Sequence, residues 1–86
     1  MFDYKGIKIK WYGHDTFTFE KGIKVCIDPF KLSKPMDVDI LLITHEHFDH
    51  CSIEDLQKIS SNKTTIVSAK ECLNKLEGIK CKEKLS

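Results

Sequence analysis

Eighty-six residues and 10.0 kDa leave room for one small domain. A chain 41% hydrophobic and 31% charged, with four Gly and two Pro, is neither disordered nor low in complexity. Its fourteen cations are all Lys, and against thirteen acidic residues they leave +1, so bulk charge gives no nucleic-acid footprint and no guanidinium fork is available to grip phosphate.

In chain order, alternation comes first. Ile7, Ile9 and Trp11 alternate with Lys8 and Lys10, and Phe17 and Phe19 alternate with Thr16, Thr18 and Glu20. Ile23, Val25 and Ile27 follow Lys21-Gly22. This pattern predicts a three-strand antiparallel meander with one buried face. A polar stretch then leads to Val38-Asp39-Ile40-Leu41-Leu42-Ile43, which reads as an interior strand covered on both sides. Ser52 with Glu54 and Asp55 behind it has the form of a helix start, and Ile53, Leu56 and Ile59 give that helix an apolar stripe. Thr64 to Val67 predicts another strand. Ser68-Ala69-Lys70-Glu71 reads as a second capping box, opening a helix with Ala69, Cys72, Leu73 and Leu76 inward and Gly78 at its end. Ile79 to Lys82 begins a last strand.

The fold class is therefore α/β: a meander that turns into βαβ units, about six strands in all. Two helices in consecutive right-handed crossovers cover one face of such a sheet and leave the other bare. The order reads as part of a domain. Cys26, Cys72 and Cys81 fall at apolar positions and are expected as reduced core thiols. The longest aliphatic run, Ile40 to Ile43, is far shorter than the roughly 20 residues of a membrane span, and the start has no secretory pattern. The expected compartment is the cytoplasm, with no membrane partner.

Chemistry concentrates in six residues, His45-Glu46-His47-Phe48-Asp49-His50, between the apolar strand and the capped helix. Ligand sites of open α/β sheets lie beyond the carboxyl ends of strands, which is where this segment falls. Read as extended chain, His45 and His47 face one point and Glu46 faces away, while Asp49 and His50 approach from the following turn. Imidazole and carboxylate donors at this density suit Zn, and equally Mn or Fe.

The segment H-x-H-x-D-H after Thr44 resembles the metallo-β-lactamase-fold hydrolases. Upstream, Trp11-Tyr12-Gly13-His14-Asp15-Thr16-Phe17 and Ile27-Asp28-Pro29-Phe30 resemble the branch of ascorbate-phosphate lactonase-like enzymes, with Asp15 where that branch usually carries a small residue. The resemblance covers residues 1–86 as a partial domain, the first αβ half of a four-layer αββα sandwich. It implies that His45 and His47 ligate one metal and Asp49 and His50 a second. Asp28 would support the site from behind, and His14 would lie near its mouth. No His follows His50, so the family's later ligands have no counterpart. His14 or Cys51 could complete a site, although Cys51 reads better as packed under the helix.

The implied activity is zinc-dependent hydrolysis of an ester, lactone, amide or phosphodiester in a small-molecule substrate. In that reading a metal-bound hydroxide attacks and Asp49 serves as both ligand and catalytic proton acceptor. The 86-residue chain itself is expected to lack turnover. The rival reading is an inert fragment, or a binding module that self-associates through its bare sheet face.

Overall fold

A computed structural model describes the whole chain, Met1 to Ser86, and places it in one seven-stranded mixed sheet whose spatial order follows chain order. Strands β1 (Phe2–Tyr4), β2 (Ile7–Trp11), β3 (Phe17–Lys21) and β4 (Ile23–Ile27) pair antiparallel. Strands β5 (Ile40–Ile43), β6 (Thr65–Ser68) and β7 (Glu83–Leu85) extend the sheet in parallel from β4. The α/β class holds, with corrections to its parts.

The meander has four strands, not three. Lys5 and Gly6 both take positive φ, 51° and 88°, the handedness that lets a tight turn follow the twist of its strands. Asp3 Oδ1 accepts the Gly6 N–H at 3.0 Å and braces that turn. The interior strand starts at Ile40, not Val38: the chain bends at Asp39, whose carboxylate accepts the Lys24 N–H at 2.8 Å.

Helix α1 (Ile53–Ile59) begins as expected: Ser52 Oγ accepts the Asp55 N–H and donates to Asp55 Oδ2 at 2.6 Å. The second helix departs from expectation. Residues Lys70–Leu76 form a 3-10 helix without a side-chain cap. Ser68 cannot act as that cap because it is the last residue of β6, paired with Ile43, and its buried hydroxyl has no partner. Ile79 to Lys82 is not a strand either. Ile79 is buried behind the 3-10 helix, and the Lys82 N–H donates to Thr64 O at 2.7 Å, which guides the chain into β7.

The core lies on one face of the sheet. Cys26, Leu41, Ile43 and Ile66 point there and meet Leu56 and Ile59 of α1, Cys72 and Leu76 of the 3-10 helix, and Leu32, Val38, Cys51 and Ile79. All four cysteines are free; three are buried in this core and Cys81 packs at its edge. Registers place Ile9, Phe19, Val25 and Ile40 in one row of the opposite face and Trp11, Phe17, Ile27, Leu42, Val67 and Leu85 in the next. Nothing in the chain covers that face, and Trp11 is 63% exposed. The expected two-sided cover of β5 is therefore one-sided: Leu41 and Ile43 are buried, Ile40 and Leu42 only half so. No helix is long and apolar enough to cross a membrane.

Candidate metal centre

The parallel strands end together at one edge, and the chemistry-bearing residues hang from those ends. Asp28 follows β4, and Thr44 followed by His45 to His50 leaves β5. The β2–β3 loop supplies a third wall. Within that loop the Tyr12 N–H donates to Thr16 O and the Thr16 N–H to Gly13 O, a tight turn in which Gly13 takes φ 96° and His14 φ 53°. Trp11 Nε1 donates to His14 O at 2.9 Å, which holds the turn from outside. Buried Thr16 then ties two motifs together: its hydroxyl donates to Asp28 O at 2.7 Å and accepts the Phe30 N–H at 3.0 Å. On the far side, buried Asp55 accepts the N–H groups of Lys31 and Leu32, each at 2.8 Å. The Asp28-Pro29-Phe30 loop is thereby clamped between β3 and α1.

Asp28 is 2% exposed and sits at φ 44°, a conformation that costs free energy for a residue with a Cβ. Both oxygens of its carboxylate are engaged. Oδ1 accepts the Thr44 N–H at 2.8 Å; Oδ2 accepts the Thr44 hydroxyl at 2.6 Å and lies 2.7 Å from His50 Nδ1. These contacts tie His50 to the sheet by one ring nitrogen.

The other nitrogen of His50 faces acidic neighbours. His50 Nε2 is 3.3 Å from Asp15 Oδ2 and 3.7 Å from Asp49 Oδ2, while His14 Nε2 is 2.9 Å from the same Asp49 oxygen. Burial is the largest single influence on His50 and disfavours its charge. The hydrogen bond and charge of Asp28, with the charges of Asp49 and Asp15, outweigh it and hold the imidazole above its usual pKa. The hydrogen bond from His14 is the main cause that holds Asp49 below the usual carboxylate range. A nitrogen facing two carboxylates calls for a positive charge between them, which either a proton or a metal ion can supply.

The six-residue segment is not extended. It bends at Glu46 and turns, with the N–H groups of His50 and Cys51 both donating to His47 O, at 2.9 and 2.8 Å. The turn still gathers the imidazoles: ring centroids lie 3.7 Å apart for His45 and His50 and 4.7 Å apart for His45 and His47. Lys75 Nζ donates to the Glu46 carbonyl and anchors the bend to the 3-10 helix. The ligand atoms of His14, Asp49 and His50 all lie within 4.8 Å of one another, whereas His45 and His47 stand beside that group. Ligand atoms about 2.0–2.2 Å from one zinc ion fall roughly 3–4 Å apart. The contacts of Asp49 Oδ2 with His14 and His50, at 2.9 and 3.7 Å, are near that spacing. A separation as wide as 4.8 Å has to close for all three donors to share one ion.

Cys51 lies in the core, 3% exposed, where burial pushes its thiol up to about 11 and the Cys72 thiol is its hydrogen-bonding neighbour. It packs under the start of α1, as its position after the ligand run suggested. Sequence reasoning missed Thr44 and gave Asp15 no role, although Asp15 reaches His50. The hydroxyl residue directly before the His run was the available signal for Thr44.

A family profile described as the Beta-lactamase superfamily domain matches residues 8–84, nearly the whole chain. This chain belongs to that superfamily. Its fold is a partial metallo-β-lactamase fold. Among curated relatives, a UPF0173 metal-dependent hydrolase of an Exiguobacterium species is 45% identical over 75 residues, which is 76% of this chain and 33% of the relative. Another, from Thermoplasma acidophilum, is 38% identical over 66 residues, 67% of this chain and 29% of the relative. A crystal structure of a candidate metal-dependent hydrolase from Parabacteroides distasonis superposes with a TM-score of 0.76 at 26% identity, across 93% of this chain and 40% of that one. The superfamily chain thus spans about a third of the length of these curated relatives.

Proposed function

We propose that this superfamily chain carries part of the metal-binding machinery of a metal-dependent hydrolase, with zinc as the ion. The carrying observation is the convergence of His14, Asp49 and His50, whose ligand atoms lie within 4.8 Å of one another. His45 and His47 stand ready beside them for a second ion, as the resemblance implies. When bound, such an ion supplies Lewis acidity toward an ester, lactone, amide or phosphodiester and makes water a stronger acid. Asp28 holds His50 in place, the β2–β3 turn aims His14, and Asp49 offers one oxygen to ligate and to hold a proton. Mn or Fe would be served by the same donors.

Zinc titration followed by calorimetry tests this reading. Weak binding is expected, lost on acidification as protons compete for the imidazoles, and reduced in each of His14→Ala and His50→Ala. The His45→Ala, His47→Ala double variant should lose a second ion only. Submicromolar affinity that survives both His14→Ala and His50→Ala would place the metal elsewhere. Turnover of lactone, phosphodiester or β-lactam substrates by the 86-residue chain is expected to stay at the level of a metal-only blank. A metal-dependent rate abolished by Asp49→Ala would show that these residues suffice for catalysis. A second reading, a module that associates without turnover, draws support from the bare apolar face alone.

A further inference from the structure

We propose that Thr44 is a positioning residue that fixes the tautomers of two imidazoles at once, leaving Nε2 of both His45 and His50 free to bind a metal. The hydrogens available at Thr44 fix the choice. Thr44 Oγ1 has one proton, and the 2.6 Å contact to Asp28 Oδ2 takes it, since an ionised carboxylate can only accept. Toward His45 Nδ1, 3.0 Å away, the same oxygen can then only accept, so the hydrogen of a neutral His45 sits on Nδ1. At His50 the 2.7 Å contact of Asp28 with Nδ1 favours the same choice over the longer, 3.3 Å contact of Asp15 with Nε2.

The Thr44 N–H also donates to Asp28 Oδ1 at 2.8 Å, so Thr44 engages both carboxylate oxygens. One residue therefore contributes a backbone donor, a hydroxyl donor and a hydroxyl acceptor to a single network. A neutral imidazole in water favours the opposite tautomer, with the hydrogen on Nε2, so this network works against the ring's own preference. Serine preserves every one of these bonds. Valine keeps the shape and the N–H and removes both hydroxyl bonds.

Its purpose rests on the metal-site reading above, but the tautomers can be measured without metal. Nitrogen-15 correlation spectra of the histidine rings in the metal-free chain, at alkaline pH where the rings are neutral, report which nitrogen carries hydrogen. The expected result is Nδ1–H for His45 and His50 in the natural chain and in Thr44→Ser. Thr44→Val should shift His45 toward Nε2–H while His50, still held by Asp28, stays put. A natural chain with Nε2–H on His45 overturns the proposal, and needs no variant to show it; an unchanged His45 in a folded Thr44→Val does the same. Zinc held through His45 should bind roughly 10–100-fold more weakly in Thr44→Val and recover in Thr44→Ser. Expected tautomers with no zinc binding by any form would reject the metal-site reading and leave the positioning role standing.

Discussion

Two rows of the sheet, one residue apart, have opposite fates. Thr18, Cys26, Leu41 and Ile66 form a row that is buried throughout, beneath α1 and the 3-10 helix. Phe17, Ile27, Leu42 and Val67 are at least as apolar, yet their row faces away from both helices and none of its members is fully buried. Alternation assigns side chains to faces, but an element of the chain must arrive to cover each face. The residues that brace the candidate site belong to the covered side: Asp28, Thr16 and Asp55 are all buried.

The largest expected effect that sharpens this contrast is at Leu41. Leu41→Ala should lower stability by about 2–5 kcal/mol in denaturant unfolding. Ile23→Ala, on the bare face and 52% exposed, should stay within about 0.5 kcal/mol. A comparable loss at both positions would mean that the bare face is covered in solution. Dye binding sharpens the contrast from the other side. The chain is expected to bind a hydrophobic dye or to self-associate, and Phe17→Thr with Ile27→Thr should weaken both. A monodisperse monomer that binds no dye would break the distinction between the two faces.

Asp55 comes next. Burial opposes its charge most strongly, but bonds from Ser52 and the N–H groups of Leu32 and Lys31, with the charge of Lys58, prevail and hold its carboxyl below the usual range. A depressed folded-state pKa stabilises the fold above the unfolded value, about 3.9, and that contribution fades as pH falls through the folded value. Asp55→Asn should therefore flatten the acid limb of the stability curve. Asp55→Ala should cost about 1–3 kcal/mol near neutrality by stranding two N–H groups. An unaltered acid limb in Asp55→Asn would show that the Lys31-Leu32 clamp carries no charge-dependent stability.

Much of the site was legible because its residues are close in sequence. Six consecutive residues hold His45, His47, Asp49 and His50, and the strand before them and the helix cap after them both carry plain signals. Asp28 and His14 were legible only through their motifs. Their roles depend on left-handed backbone at non-glycine positions, which no residue pattern announces. A hydroxyl residue before the His run marks Thr44, but its three bonds are set by how β4 and β5 pair, which the sequence does not spell out. The β1 hairpin was readable, since Lys5-Gly6 sits between alternating residues, but its two-residue turn lacks the usual Asn or Asp before Gly. The 3-10 helix was misread because Ser68, a good cap by type, is consumed by the end of a strand.

That His14, Asp49 and His50 share one cation is tested most directly by cobalt(II), which reports its ligands in visible absorption where zinc is silent. Titrating the natural chain should produce ligand-field bands of a nitrogen and oxygen site. These bands should vanish or shift in each of His14→Ala, Asp49→Ala and His50→Ala and persist in Cys51→Ala. Bands that survive all three substitutions, or that require Cys51, would contradict the arrangement described above.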